Sequence, residues 1–225
     1  MSMALFVAGT DTGIGKTHAS CSLLHALRAS GLRATGMKPV ASGCIETVHG
    51  LQNEDALALR AASSTPLPPY ARTNPVALRE PLSPHLAAAH EGVTIALPPL
   101  RAAFDALCAE HDAVVVEGVG GWRVPLAPGL FASDIARDWQ LPVIFVVGLR
   151  LGCLSHSLLS AEAIQADGCR LAGWMANRID PAMDAVEENL ATLRELLPAP
   201  CLGVLPHGAV PAQAAAALDL AALAG

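Results

Sequence analysis

Residues 9–17 read Gly9-Thr10-Asp11-Thr12-Gly13-Ile14-Gly15-Lys16-Thr17 and follow directly on the apolar run Ala4–Ala8. This pattern predicts a strand that ends in a phosphate-binding loop, followed by a helix that begins at Lys16. Small residues let backbone N–H groups turn inward around a polyphosphate, and the helix adds the positive end of its dipole. Lys16 is expected to reach the β- and γ-phosphates, and the Thr17 hydroxyl to bind Mg²⁺. The chain is therefore predicted to bind a nucleoside triphosphate.

The spacing of this loop departs from the usual pattern at one position. Counting back from Gly15, the first glycine of the pattern falls on Thr10, whereas the chain has its glycine one position earlier, at Gly9. A glycine-rich turn without any ligand is the alternative interpretation. The preceding strand, the intact Gly-Lys-Thr and the amphipathic run that follows favour triphosphate binding.

The composition limits the class of protein. A chain of 225 residues suits one α/β domain over 1–225. Hydrophobic residues make up 52% and aromatic residues only 4%, so the core must consist mainly of Ala, Leu and Val. The net charge of −6 gives no broad basic surface for nucleic acid. Anionic substrates must therefore be bound by loops and a few lysines.

Cysteine usage and hydropathy point to a cytoplasmic protein that does not enter a membrane. The six cysteines form no Cys-x-x-Cys pair, so free thiols are expected rather than a metal site or a disulfide framework. The sequence lacks the pattern of a signal peptide. No apolar run reaches the roughly 20 residues that a membrane span needs.

Apolar segments and helical segments alternate along the chain. Strands are expected at 4–8, 32–37, 113–117, 142–147, 171–176 and 201–205, and helices at 16–30, 53–62 and 97–111. Between them we expect a polar loop over 38–49 and a proline-rich surface loop over 63–84. An amphipathic helix, or alternatively a low-complexity tail, is expected over 213–225. Strands that are apolar throughout indicate an α/β fold of the P-loop NTPase kind, with a mostly parallel sheet and helices on both faces.

Ligands of open parallel sheets bind at the carboxyl ends of the strands, and three charged residues are predicted to lie there. Glu117 ends a buried strand and precedes a glycine-rich stretch, which favours a Mg²⁺ ligand over a surface carboxylate. Asp55 near a helix start fits a metal role and simple compensation of the helix dipole equally well. Lys38, kept extended by Pro39, is predicted to face substrate, the alternative being a solvated surface charge.

Further motifs extend the pattern beyond the phosphate-binding loop. They are the Lys-Pro-Val-Ala-Ser-Gly run at 38–43, Asp55-Ala56, the Glu-Gly-Val-Gly-Gly-Trp run at 117–122, Pro125-Leu126, and the segments 148–153 and 173–177. With these motifs the chain resembles the dethiobiotin synthetase family, from the amino terminus to Pro206.

This resemblance implies an ATP-dependent ligase of biotin biosynthesis that closes a cyclic urea. The implied substrates are diaminopelargonic acid and CO₂, and the implied product is dethiobiotin. One substrate amine captures CO₂ as a carbamate, whose oxygen attacks the γ-phosphate to give a carbamic-phosphoric anhydride. The second amine then closes the ring and expels phosphate. Catalysis of such a phosphoryl transfer depends mainly on positioning and charge neutralisation.

The resemblance also implies roles for individual residues. Lys16 and Lys38 would be catalytic, and Thr17, Asp55 and Glu117 would hold Mg²⁺. Substrate would contact Ser42, Thr12, Gly152 and Cys153, the last two across the interface of a homodimer. The nucleotide would be bound by Thr12, Gly13, Ile14, Gly15, Lys16, Thr17, His18, Asp55, Glu117, Gly118, Val119, Gly120, Asn177, Arg178, Pro206, His207 and Gly208. Gly13 departs from the family pattern, which often has an acidic residue there.

Three other functions remain open from the sequence. A partitioning-type ATPase switch has a related loop, but it carries a signature lysine near the loop start, where this chain has Asp11. An amidotransferase-type synthetase would need a further glutaminase domain. A non-catalytic nucleotide-binding module would not need Lys38, Asp55 and Glu117 at one edge of the sheet.

Overall fold

Twelve strands form one large sheet and three small ones in the computed structural model, which describes residues 2–224. In chain order they are Met3–Gly9 (β1), Ala34–Met37 (β2), Val40–Ala41 (β3), Ile45–Thr47 (β4), Gly50–Gln52 (β5), Val76–Ala77 (β6), Ala113–Glu117 (β7), Pro125–Ala127 (β8), Leu130–Phe131 (β9), Val143–Gly148 (β10), Leu171–Asn177 (β11) and Cys201–Leu205 (β12). The large sheet has the order β12-β11-β10-β1-β7-β2, and all of its strands run parallel. Short pairs β3–β6, β4–β5 and β8–β9 lie outside it.

The helices connect these strands. They are Lys16–Ala29 (α1), Glu54–Ala62 (α2), Tyr70–Thr73 (α3), Pro84–Glu91 (α4), Leu97–Glu110 (α5), Ala132–Asp138 (α6), Cys153–Ala166 (α7), Val186–Leu196 (α8) and Pro211–Ala214 (α9). Two 3₁₀ turns, Ala215–Ala217 and Ala221–Ala224, follow α9. None of the helices within residues 2–224 is both long and apolar enough to cross a bilayer.

Both faces of the large sheet are buried, because successive side chains of a strand point to opposite faces. Leu5 and Val7 of β1 pack with α1, α2 and the carboxyl-terminal segment. Phe6 and Ala8 pack on the other face with residues of α4 to α8. Each fully buried Val or Leu side chain contributes about 1.5–3 kcal/mol relative to exposure. The structure thus confirms the predicted α/β fold with a parallel sheet covered by helices on both faces.

Most predicted elements agree with the structure. The strands at 113–117 and 201–205 have the predicted bounds, and the other four predicted strands differ from them by one or two residues at an end. The helices at 16–30, 53–62 and 97–111 each differ by one residue, since Ser30, Asn53 and His111 are caps. Helices α4, α6 and α8 were not among the predicted elements.

Three predictions about the connecting segments were wrong. The segment 38–49 is not only loop, because it contains β3 and most of the β4–β5 hairpin. The segment 63–84 is not a plain surface loop, since it contains α3 and β6 and ends where α4 begins. The tail is not one helix: the Asp219 N–H donates to the Leu202 carbonyl at 2.7 Å, and the extended Leu218 before it interrupts the helix. Residue 225 lies outside the described residues.

Candidate active site

The phosphate-binding loop lies at the centre of the sheet edge. It connects β1 with α1, and β1 is flanked by β7 and β10. Gly13 and Gly15 have φ angles of 75° and 81°, which glycine adopts without the steric cost of a side chain. The Asn177 amide donates from Nδ2 to the Ile14 carbonyl at 3.0 Å and so connects the loop to the end of β11. The loop is therefore held at the helix start, where free N–H groups favour an anion.

Lys16 is folded back onto this loop. Its Nζ donates to the Asp11 carbonyl at 2.6 Å, and the residue is only 7% exposed. Burial, followed by the nearby Lys38 ammonium, lowers the pKa of Lys16 to about 8. An anionic ligand in the same place would favour the charged form.

Four side chains from four elements meet beside the loop. Lys38 and Glu117 come from the ends of β2 and β7, which are paired so that Met37 lies opposite Val116. Thr17 lies in the first turn of α1 and Asp55 in the first turn of α2. Asn53 caps α2 by accepting from the backbone N–H groups of residues 55 and 56, which fixes the orientation of Asp55. The parallel sheet and the starts of α1 and α2 thus bring together four side chains that lie far apart in the sequence.

The Lys38 ammonium directs all three of its donors at protein oxygens. It lies 2.6 Å from Glu117 Oε1, 2.9 Å from Asp55 Oδ2 and 3.1 Å from the Gly118 carbonyl. Burial by itself lowers the pKa of Lys38, but the Glu117 and Asp55 carboxylates outweigh it and hold this pKa above its usual value. Burial likewise opposes ionisation of Asp55, yet Lys38 and Thr17 keep the Asp55 pKa below its usual value. Lys38 is therefore a charged ammonium in this site.

The oxygens around Thr17 outnumber the protons available to them. Thr17 Oγ1 lies 2.8 Å from Asp55 Oδ1 and 2.9 Å from Glu117 Oε1, but a hydroxyl has one proton to donate. Glu117 is fully buried, and its Oε2 has no hydrogen-bond partner among residues 2–224. Two carboxylates and a hydroxyl oxygen are the ligand types that Mg²⁺ takes beside nucleotide phosphates. The residues present therefore fit a divalent cation at Thr17, Asp55 and Glu117.

These side chains line a cavity of about 700 Å³ at the carboxyl edge of the sheet. Its lining includes many of the residues predicted for the site: Thr12, Gly13, Gly15, Lys16, Thr17, Lys38, Ser42, Asp55, Glu117, Val119 and Gly120. Ile14 is buried beneath the loop, and neither His18 nor Gly118 belongs to the lining, although the Gly118 carbonyl contacts Lys38. Burial lowers the pKa of His18, which favours a neutral ring.

Part of the lining was not among the predicted site residues. Asn53, Glu54, Val124 and the segment 81–84 all face the cavity. The segment 81–84 follows β6, which pairs with β3 beside Lys38, and the Gly43 N–H donates to the Glu80 carbonyl at 3.0 Å. Its Pro-Leu-Ser-Pro sequence marks a helix start, but only tertiary pairing places that start over the cavity.

Three of the five residues predicted for the adenine side, Arg178, Pro206 and His207, line a second, smaller cavity of about 400 Å³. It is lined by Arg178, Asp180, Pro181, Met183, Val186, Pro206 and His207. The Arg178 N–H donates to the Leu205 carbonyl at 3.1 Å, which holds this segment next to the end of β12. Asn177 connects it with the phosphate-binding loop, whereas Gly208 does not line the cavity.

The two other residues predicted to bind substrate lie apart from both cavities. Gly152 precedes α7 and has a φ of 94°, and Cys153 is the buried first residue of that helix. Next to them Leu151 is 97% exposed, and Leu159 further along α7 is 62% exposed. Within this chain, Gly152 and Cys153 line neither cavity.

Fold and site together define a P-loop nucleotide-binding protein. The protein family described as "AAA domain" matches residues 3–212. A relative from Xanthomonas euvesicatoria pv. vesicatoria (strain 85-10), named ATP-dependent dethiobiotin synthetase BioD, is 58% identical over 203 residues, which cover 90% of each chain. Relatives of the same name from Xylella fastidiosa (strain 9a5c) and Aromatoleum aromaticum are both 57% identical, covering 96% of this chain and 96% and 97% of their own. The chain belongs to the dethiobiotin synthetase family.

Solved structures of more distant proteins share the fold. The septum site-determining protein MinD from Pyrococcus horikoshii, complexed with Mg-ADP, has a TM-score of 0.55 at 14% identity, covering 92% of this chain and 82% of its own. Chloroplast FtsY from Physcomitrella patens has a TM-score of 0.51 at 16% identity, covering 99% of this chain and 64% of its own. Identities this low are informative about the fold only.

Proposed function

We propose that this chain is a cytoplasmic, ATP- and Mg²⁺-dependent ligase that closes the ring of dethiobiotin from diaminopelargonic acid and CO₂. The observation that carries the proposal is the cluster of Lys38, Asp55, Glu117 and Thr17 beside the phosphate-binding loop. Membership of a family whose relatives are named ATP-dependent dethiobiotin synthetases supports the same reaction.

The two lysines of the cavity suit a reaction in which every reacting group is anionic. Lys16 would stabilise charge on the γ-phosphoryl group while the carbamate oxygen attacks phosphorus and ADP leaves. Lys38 would neutralise the carbamate and then the anhydride, until the second amine attacks the carbonyl carbon and phosphate departs. Ser42 lines the same cavity and is a candidate hydrogen-bond partner of the diamine. Electrostatic stabilisation by fixed charges in a buried site is the largest expected contribution.

Each N–H donor of the Lys38 ammonium already has a protein acceptor, so Lys38 can bind an anionic substrate only if one of these hydrogen bonds is broken. Its three donors are directed at Glu117, Asp55 and Gly118. The two carboxylates are also the proposed Mg²⁺ ligands, with Thr17. Bound Mg²⁺ would supply charge neutralisation at the β- and γ-phosphates. If the two carboxylates held Mg²⁺, Lys38 would keep the Gly118 carbonyl as an acceptor, and its other N–H donors would be available to substrate.

The nucleotide would extend from the first cavity to the second. The loop residues 12–18 would surround the phosphates, with contributions from Gly118, Val119 and Gly120 on the opposite side. Asn177, Arg178 and the segment 206–208 would contact the adenine. Asn177 supports this assignment because its amide already joins the loop to the end of β11.

The substrate carboxylate would be bound by a second copy of the chain. Gly152 caps the start of α7, a fourteen-residue helix, and is exposed together with Leu151, whereas Cys153 is buried. That they line neither cavity of their own chain supports a contact with substrate bound in a neighbouring chain. A homodimer with its substrate site at the interface meets this requirement.

A product assay tests the proposal. Purified protein is incubated with ATP, Mg²⁺, diaminopelargonic acid and isotopically labelled bicarbonate, and the product is identified by mass. We expect labelled dethiobiotin and ADP in equal amounts, and no ADP when either the diamine or bicarbonate is omitted. ATP hydrolysis that DNA or lipid stimulates, without dethiobiotin, would instead support the partitioning-type switch.

A further inference from the structure

One half-buried carboxylate outside the cavity accepts hydrogen bonds from two consecutive residues of a cavity loop. Asp167 caps the carboxyl end of α7, and its side chain is 13% exposed. Its Oδ2 accepts from Trp122 Nε1 at 2.8 Å, and its Oδ1 accepts from Arg123 Nη2 at 2.7 Å. Both donors belong to the segment 118–124 between β7 and β8, here called the β7–β8 loop.

The position of Asp167 is not explained by the helix that carries it. A carboxylate at the carboxyl end of a helix faces the negative end of the helix dipole, which is unfavourable. The Arg123 guanidinium offsets this charge, and the Trp122 N–H satisfies the second oxygen. Both compensating groups come from the β7–β8 loop, so the Asp167 carboxylate stabilises that loop rather than α7.

The β7–β8 loop forms one wall of the candidate active site. Its first residue, Gly118, accepts from the Lys38 ammonium through its carbonyl, and Val119, Gly120 and Val124 line the cavity. The Trp122 ring packs edge-on against Phe6, with ring centroids 6.1 Å apart. A shift of this loop would therefore move the anchor of Lys38.

We propose that Asp167 is a positioning residue, which holds the β7–β8 loop in place through Trp122 and Arg123 and thereby sets the position of Lys38. The inference rests on the proposed function, because Lys38 is assigned there to the carbamate and the anhydride. Asp167 itself touches neither the cavity nor the reacting atoms.

Kinetics of matched variants test this role. A misplacement of about 1 Å costs about a hundredfold, so the smaller shift expected in Asp167→Ala should lower kcat about tenfold. The KM for ATP should change by less than about twofold, since the phosphate-binding loop keeps its own contacts. Adding Arg123→Gln to Asp167→Ala should lower kcat no further. Asp105→Ala, which removes the exposed Arg101–Asp105 pair of α5, is the control and should leave kcat unchanged.

Hydrogen exchange separates positioning from a loss of folding. In Asp167→Ala, amides of residues 118–124 should exchange faster while the melting temperature and exchange in the rest of the sheet stay the same. Unchanged exchange in this segment, a kcat that falls only with the folded fraction, or an equal effect of Asp105→Ala overturns the proposal. The exchange comparison needs no turnover, so it decides on the loop contact even if the unsubstituted chain makes no dethiobiotin and the proposed function fails.

Discussion

Lys38 is the residue whose replacement tests the chemistry most directly. Lys38→Ala removes the ammonium that would neutralise the carbamate, so we expect dethiobiotin formation to fall about 10²–10³-fold at saturating substrates. Lys38→Arg keeps the positive charge but changes the arrangement of the N–H donors, so comparing it with Lys38→Ala separates the effect of charge from that of geometry. Product formation near the unsubstituted rate in Lys38→Ala would remove Lys38 from the reaction.

The same substitution has a cost in stability that the sequence did not indicate. Lys38 is 3% exposed and Glu117 is fully buried, so its removal leaves a buried carboxylate without its cation. Breaking a buried pair in this way costs about 3–5 kcal/mol. Rates of Lys38→Ala therefore have to be measured well below its melting temperature, with the folded fraction determined by circular dichroism.

Lys16 makes ATP binding depend on pH. Its pKa of about 8 in the free protein lies below the usual value for lysine, so the ammonium is largely lost as pH rises above 8. The unfolded chain still binds that proton up to about pH 10.5, so this group contributes stability that increases with pH across that window. Triphosphate binding needs the charged form, so ATP affinity should fall as pH rises above 8, and binding should take up a proton there.

Calorimetry in buffers of different ionisation enthalpy measures this uptake. At about pH 7 Lys16 is already charged and little uptake is expected, whereas at about pH 9 it should approach one proton per ATP. Lys16→Arg stays protonated throughout and is the control. Equal uptake at both pH values would contradict the assignment of Lys16 to the phosphates.

At the scale of elements, the loop between β1 and α1 contains two glycines that differ in the space available for a side chain. Gly13 and Gly15 both have left-handed φ angles, so an alanine at either position costs about 1–2 kcal/mol in backbone strain. A Cβ at Gly13 would meet no atom within 4 Å, whereas one at Gly15 would overlap the Asn177 amide nitrogen. Gly15→Ala must therefore also displace the Asn177 contact with the Ile14 carbonyl.

This pair separates backbone strain from the Asn177 contact. We expect Gly13→Ala to lower the free energy of unfolding modestly, and Gly15→Ala to lower it further and to raise the KM for ATP at least about tenfold, because the loop moves. Urea unfolding and initial rates measure the two quantities. Equal effects of both substitutions would show that Asn177 does not fix the loop.

Elements with a strong local pattern were the ones that the sequence predicted well. β7 is a run of apolar residues that ends in Glu117, and the Gly-Lys-Thr sequence marks the start of α1. Because parallel strands end at the same edge of the sheet, the proximity of Lys38 and Glu117 could also be predicted from the sequence. Asp55 had an ambiguous pattern from spacing alone, and its contact with Thr17 depends on the Asn53 cap and on tertiary structure that the spacing does not show.

Elements that depend on tertiary contacts were missed. β3 and β6 have two residues each and exist because they pair with each other over thirty residues apart in sequence. The alanine-rich tail has high helix propensity, but the backbone contact of Asp219 with Leu202 on β12 overrides it. The Asp167 contacts with Trp122 and Arg123 join residues 44 and 45 positions apart, and no local signal marks them.

At the scale of the whole molecule, a net charge of −6 opposes the approach of anionic substrates. The structure offsets this locally, because Lys16 and Lys38 are both buried at one edge of the sheet beside the start of α1. Lys16 and the start of α1 therefore offer positive charge to the phosphates, whereas the charge of the Lys38 ammonium is balanced by Asp55 and Glu117. The proposed substrate carboxylate has no lysine of this kind, and the start of α7 in a second chain is the site proposed for it.

Two defective variants should restore each other's activity if the substrate site lies between two chains. Lys38→Ala disables the cavity of its own chain. Ser155→Asp places a carboxylate in the exposed first turn of α7, where it suits the helix dipole but repels a substrate carboxylate. Each variant alone should be nearly inactive, whereas a mixture with exchanged subunits contains mixed dimers with one intact site. After equal mixing, random pairing predicts recovery of about a quarter of the unsubstituted activity.

Sedimentation checks that each variant is dimeric, and Asp105→Ala with Lys38→Ala is the control mixture. A mixture of Lys38→Ala and Ser155→Asp that gains nothing over its separate components, although the subunits exchange, would place the whole site within one chain.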